Sequence, residues 1–247
     1  MQKIGLLDSG LGGFSLLRDL LNQSLNAEYY FVSDNKNVPY GGKTQEFMFQ
    51  RLQVLVEQLL EKKVSAIVIA CNTATVETID LLRKKYDIPF IGIEPYINYL
   101  NHSINKKVSL ILTEATFNSK RFKDLQIKYD PKNEVKIIPL KNLALIIEKL
   151  FHLDFELIKN EIDAELNLVR VEEGGTLVLG CTHYPLIKNY IENKLNIKTI
   201  DPNKFVINEL VKRLAIANGV ENSSFNFCYN ADKKWLKRDI QDFNIFF

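Results

Sequence analysis

Two of the three cysteines, Cys71 and Cys181, stand where a thiol can do chemistry. Each follows an apolar run of strand type, residues 66–70 (AIVIA) and 176–179 (TLVL), and each precedes a stretch with helical patterning. A lone cysteine ending a buried strand is ordinarily a small hydrophobe. Two at equivalent places of a repeated unit point instead to a shared role. A helix N-terminus just beyond each sulfur would lower its pKa from about 8.5 and favour the thiolate. Asp8 and His183 are polar groups able to assist proton transfer. Two thiols flanking one cleft could take a proton from one face of a carbon and deliver one to the other, as inverting a stereocentre requires. A zinc site of Cys71, Cys181 and His183 lacks the usual ligand spacing, so no metal is expected. Cys228 lies in residues 225–229, which alternate like a strand, and is expected to pack. His102 and His152 have no partner motif.

The elements that must position these groups read as an alternation of strands and helices. Strands are predicted at 4–7, 29–32, 66–70 and 90–93, with helices at 14–21, from the Thr44 cap to about 62, and at 74–86. The pattern then restarts. Strands follow at 108–112, 135–138, 176–179 and 198–200, with helical character through much of 143–170 and again over 204–217. Such alternation predicts an α/β fold with mostly parallel sheets. The segment AIVIACNTAT resembles TLVLGCTHYP in form, and IGLLDSG resembles VSLILTEAT. The expected architecture is therefore two similar α/β lobes, each giving one cysteine from the carboxyl end of a strand. The first lobe is assigned to residues 1–95, completed by 208–247, and the second to 96–207. The boundary is expected near 94–105, where Pro95 and the polar run Asn101-His102-Ser103 interrupt the pattern.

In open α/β sheets ligands bind beyond the carboxyl ends of the strands. Four polar clusters fall there: Asp8-Ser9-Gly10, Cys71-Asn72-Thr73, Thr113-Glu114-Ala115-Thr116 and Cys181-Thr182-His183. The glycines at 10, 12 and 13 suit a tight strand-to-helix turn, whose free N–H groups could hold an anion. The stretch is neither GxGxxG nor a P-loop. Composition narrows the field further. The 32 basic and 30 acidic residues leave a formal net charge of +2, which gives no reason to expect nucleic acid as the main partner. Three cysteines without a CxxC pair form neither a disulfide framework nor a structural zinc site. No apolar run reaches the roughly 20 residues a membrane helix needs, and Asp8 comes too early for a secretory leader. The expectation is a cytoplasmic protein with reduced thiols and no membrane partner.

The motifs resemble, in order, those of the glutamate racemases of the aspartate/glutamate racemase family. The resemblance rests on IGLLDSGLGG (4–13), VPYGGK (38–43), ACNTAT (70–75), GIEP (92–95), TEAT (113–116) and LGCTHYPL (179–186), which together span most of the chain. It implies two pseudosymmetric α/β lobes with the active site between them, and cofactor-independent interconversion of L- and D-glutamate by two bases, supplying D-glutamate for peptidoglycan. Cys71 would act on D-glutamate, assisted by Asp8, and Cys181 on L-glutamate, assisted by His183. Ser9, Pro39, Tyr40, Gly41, Asn72, Thr73, Thr116 and Thr182 would hold the amino acid together with those four. A homodimer is implied as well. The family carries a further acid in the second lobe, after a Pro-Leu and a second proline. Pro139-Leu140 is present without that second proline, and Glu148 is the candidate. Asp201-Pro202 stands where the family often has Asp-Ser, and Leu112 where glycine is common before TEAT. Two alternatives compete: a racemase for aspartate or another acidic amino acid, and a non-catalytic two-lobe protein that binds an amino acid.

Overall fold

The computed structural model describes residues 1–95, 107–219 and 224–243. Most of the stretch expected to divide the lobes, including His102, lies outside the described residues. The first apolar runs form β1 (Gln2–Asp8), β2 (Ala27–Ser33), β3 (Ala66–Ile69) and β4 (Phe90–Gly92). They are parallel, in the order β2-β1-β3-β4. Helices α1 (Phe14–Leu21), α2 (Gln45–Glu61) and α3 (Asn72–Lys85) connect them. Thr44 starts α2 by accepting from the Phe47 N–H at 3.2 Å, and three basic residues in the last turn of α3 complement its dipole.

A second sheet repeats this arrangement. Strands β5 (Val108–Thr113), β6 (Lys136–Leu140), β7 (Thr176–Leu179) and β8 (Lys198–Ile200) are parallel in the order β6-β5-β7-β8. Pro139 fits because β6 is an edge strand, where a missing N–H costs little. The α/β architecture expected from the alternating pattern is the one observed. Helices α4 (Glu114–Asn118) and α5 (Lys120–Tyr129) follow β5. The region 143–170 is not one long helix. It divides into α6 (Leu143–Glu148), a 3-10 turn (Lys149–Phe151) and α7 (Phe155–Leu166), with Asp154 extended between them. The break leaves Glu148 at the last position of α6.

After α8 (Lys188–Leu195) and β8, helix α9 (Asn203–Leu214) packs against α1 and β4. Then β9 (Ser224–Cys228) adds to the first sheet parallel to β2, and β10 (Trp235–Asp239) closes its edge antiparallel to β9. Cys228 is buried there, its thiol 3.5 Å from Gln58 Oε1.

One apolar core joins the two sheets. Leu11, Phe14 and Leu16 pack in the same cluster as Leu140, Leu143, Ile147, Tyr184 and Leu186. Full burial of such a side chain contributes roughly 1.5–3 kcal/mol. Phe14 adds an edge-to-face contact with Phe31 at 4.8 Å. Among the described residues, no helix is long and apolar enough to cross a membrane.

Strand register explains why distant residues meet. Leu7 pairs with Ile69, so Asp8 and Cys71 emerge at the same sheet end. Ile111 pairs with Leu179, so Thr113 and Cys181 do likewise.

Candidate active site

Cys71 is the N-cap of α3, and its sulfur accepts from the Ala74 N–H at 3.5 Å. The Ser9 hydroxyl lies 3.6 Å from this sulfur and 3.3 Å from Asp8 Oδ1. A hydroxyl can accept from the thiol while donating to the carboxylate. Cys71, Ser9 and Asp8 therefore form a continuous proton path. Asp8 is fully buried, and it also accepts from the backbone N–H groups of Ser9 (2.6 Å) and Gly13. Burial pushes its carboxyl up to about 7, with help from the Glu148 charge, while His183 and the two N–H groups pull it down.

The expected lowering of the Cys71 pKa is not what the site produces. Burial, and next the charge of Asp8, push this thiol up. The Ala74 N–H and Ser9 pull the other way and lose, and a charge on Cys181 raises the Cys71 thiol further. A helix N-terminus favours a thiolate by a limited amount, and here full desolvation outweighs it.

Around Cys181 the local structure differs from the expected helix start. A 3-10 turn (Tyr184–Ile187) follows, and α8 begins only at Lys188. The sulfur faces His183 Nδ1 at 3.7 Å instead. His183 Nε2 meets Glu148 Oε2 at 2.8 Å. Burial by itself would lower the His183 pKa, but its hydrogen bonds to Cys181 and Glu148 and their negative charge raise it well above the ordinary value. The ring is thus held as imidazolium between two acceptors. Cys71 and Cys181 are each only 6% exposed, so the site is closed to bulk water.

Two N–H groups of the glycine turn are taken by carboxylates of the protein itself. The Gly13 N–H goes to Asp8, and the Leu11 N–H goes to Glu148 Oε2 at 2.9 Å. Its glycines serve close approach. A Cβ at Gly10 would lie within 3.0 Å of the Glu148 carboxylate, and one at Gly12 would lie 2.6 Å from both His183 Nδ1 and Thr182 Oγ1. The second half of the chain docks onto this turn.

The remaining candidates fall around the two sulfurs. Asn72 donates to the Ile93 carbonyl at 3.3 Å, while its Oδ1 is buried without a partner among the described residues. Thr73 Oγ1 lies 3.2 Å from both Thr113 Oγ1 and Thr116 Oγ1, joining the two halves through hydroxyls. Thr182 is buried against the Gly12 turn. Pro39 and Gly41 flank Tyr40, and the 3-10 turn Tyr40–Gly42 packs on α4. The Tyr40 hydroxyl donates to Asp34 Oδ2 at 2.8 Å. Burial, then the Asp34 charge, raise the phenol's pKa, so it remains a donor. Asp201 pairs with Lys188 at 3.4 Å, and Leu112 is an ordinary buried residue of β5.

Three residues escaped the sequence reading. Asp34 is buried at the end of β2 and takes a bidentate pair from Arg51 at 2.7 and 2.9 Å, besides Asn37 and Tyr40. It anchors the loop that carries Pro39, Tyr40 and Gly41. Asn35 donates to Glu148 Oε1 at 3.0 Å. The available signal was position: Asp34 and Asn35 directly follow a strand's carboxyl end. Arg51 had no such signal, being one charged residue within a helix. Among the described residues, no group of three or more His, Cys, Asp or Glu is arranged to hold a metal ion.

Residues 19–210 match the family model described as Asp/Glu/Hydantoin racemase. A glutamate racemase from Clostridium perfringens is 39% identical over 225 residues, covering 90% of this chain and 86% of its own length. The crystal structure of a glutamate racemase isoform from Bacillus anthracis superposes with a TM-score of 0.74 at 28% identity, covering 92% of this chain and 86% of that one. A Francisella tularensis glutamate racemase in complex with D-glutamate gives 0.71 at 28% identity, covering 92% and 88%.

Proposed function

This chain belongs to the Asp/Glu/Hydantoin racemase family, and from that premise we propose that it interconverts L- and D-glutamate by a two-cysteine, cofactor-independent mechanism. The observation that carries the reading is a pair of proton paths entering one buried site, Cys71–Ser9–Asp8 and Cys181–His183–Glu148.

With L-glutamate, Cys181 as thiolate takes the α-proton, with the His183 ring 3.7 Å from its sulfur. The electron pair left on Cα then takes the proton of the Cys71 thiol on the opposite face, giving D-glutamate and a Cys71 thiolate. The reverse sequence starts from that thiolate. Ser9 and Asp8 can draw the proton from Cys71, and a carboxyl near 7 can both accept and release it at neutral pH. Asn72 Oδ1 is suited to the substrate ammonium. The hydroxyls of Thr73, Thr116 and Thr182 and the loop of Pro39, Tyr40 and Gly41 are suited to its carboxylates, and Ser9 borders the amino acid beside Cys71. Fixed donors in a site without bulk water would stabilise the developing carbanion.

The test is Cα hydrogen exchange in heavy water, with glutamate and aspartate offered separately. Exchange and inversion are expected with glutamate. Turnover of aspartate alone would make the chain an aspartate racemase. Binding of an amino acid without exchange would make it a binding protein. Supply of D-glutamate for peptidoglycan and action as a homodimer are proposed from the same family likeness. Sedimentation with and without glutamate tests the dimer, and a strict monomer would contradict it.

A further inference from the structure

The acid behind His183 is itself held from the other half of the molecule. Glu148 offers four acceptor positions on two oxygens. Oε2 receives the Leu11 N–H at 2.9 Å and faces His183 Nε2 at 2.8 Å. Oε1 receives Asn35 Nδ2 at 3.0 Å. Asn35 Oδ1 in turn accepts from the Ser33 hydroxyl. A carboxylate only accepts and this hydroxyl donates, so both ends of the Asn35 amide are oriented. Ser33 pairs in register with Asp8, which ties Asn35 to the strand end bearing the other carboxylate.

Glu148 and Asn35 also line a cavity of about 250 Å³ with Lys149, His152 and Tyr229. Lys149 is engaged by Glu161 at 2.6 Å. The charged and titratable groups around the Glu148–His183 pair are therefore Asp8 from β1, Cys181 beside His183, Cys71 from the start of α3, and Lys149, His152 and Tyr229 at the cavity. Without the Asn35 side chain, Oε1 would face that cavity, and the carboxylate would be free to turn away from His183.

We propose that Asn35 is a positioning residue for glutamate inversion: it fixes the Glu148 carboxylate against His183 and thereby governs proton transfer at Cys181 rather than at Cys71. The inference rests on the proposed racemisation. It requires care in choosing the readout. The enantiomers have equal free energy, so kcat/KM must be equal in the two directions whatever the variant. The imbalance appears in isotope effects. If Cys181 becomes the slower base, abstraction from L-glutamate limits turnover more, and abstraction from D-glutamate limits it less.

The experiment compares wild type, Asn35→Ala and Asn35→Asp with glutamate deuterated at Cα in each enantiomer. A hydrogen bond to a buried charge predicts a loss of about tenfold in kcat/KM. The primary isotope effect is expected to rise with the L-enantiomer and to stay level or fall with the D-enantiomer. Isotope effects that move together, or not at all, would overturn the proposal, and a merely structural defect would not separate them. A second measurement needs no turnover: the imidazole titration of His183 followed by NMR in the substrate-free protein. Asn35→Ala frees Oε1 and lets the Glu148 carboxylate turn away from His183, so the His183 midpoint is expected to move to lower pH. An unmoved midpoint would overturn the coupling even if glutamate proved not to be the substrate.

Discussion

Cys71 and Cys181 follow equivalent strands, β3 and β7, in sheets with the same local strand order, but the groups behind their sulfurs differ in kind. Behind Cys71 stands a hydroxyl, Ser9, which can pass a proton to Asp8 but cannot keep it. Behind Cys181 stands an imidazole, His183, which keeps its proton because Glu148 holds the other ring nitrogen. The acids also come from different elements. Asp8 ends β1, whereas the equivalent position in the second sheet by strand register is Leu112, and the second carboxylate arrives from the end of α6. Repetition has thus duplicated the backbone frame but not the acid chemistry. The consequence is a site with uneven proton affinity: burial raises the pKa of the Cys71 thiol, while the raised pKa of His183 sets a cationic ring beside the Cys181 sulfur.

The largest expected effect removes one sulfur at a time. Cys71→Ser and Cys181→Ser should each lower racemisation on the order of 10³-fold or more. Each should still exchange the Cα hydrogen of one enantiomer without inverting it, D-glutamate where Cys71 remains and L-glutamate where Cys181 remains. Near-normal racemisation by either variant would end the two-base reading and with it the comparison of the two sulfurs.

A smaller effect is expected where the halves dock. A methyl at Gly10 or Gly12 would intrude within 3.0 Å of the Glu148 carboxylate or the His183 ring, whereas one at Gly42 meets nothing within 4 Å. Gly10→Ala and Gly12→Ala should lower kcat/KM by about 10²-fold through displaced catalytic groups. Gly42→Ala serves as the control. Equal behaviour of all three would mean that the turn does not set the position of the Cys181 path.

The smallest effect concerns Asp8 alone and sharpens the contrast in charge. Its carboxyl is raised from 3.8 to about 7 in the folded protein, so the native state binds the extra proton between those values. Stability contributed by this group is present at low pH and is lost as pH rises through that window, at most about 1.4 kcal/mol per pH unit. Asp8→Asn lacks this loss. Its stability relative to wild type, measured by denaturant titration, should therefore increase from pH 4 to pH 7. A constant difference would show that Asp8 ionises as readily folded as unfolded.

Much of this site was legible without coordinates. Cys71, Cys181 and Asp8 could be picked out because each lies one or two residues beyond an apolar strand, and His183 because it follows Cys181 by two; strand periodicity is local. Glu148 came only from family resemblance, since a glutamate inside a helical stretch has no local mark. Asn35 and Asp34 were missed because their partners, Glu148 and Arg51, lie elsewhere in the chain. The pKa of Cys71 was misjudged in direction because the helix cap is a local feature and burial is not.

The sequence by itself determined the two α/β repeats, the strand ends that bear the thiols and the turn that demands small residues. These follow from patterning and capping over a few neighbouring positions. Only the tertiary structure decided that the glycine turn receives the protein's own Glu148 carboxylate and the His183 ring, that Asn35 orients the acid of the opposite half, and that the Cys71 thiol holds its proton. Those outcomes depend on desolvation and on contacts across the two sheets, where a buried charge interacts far more strongly than it would in water.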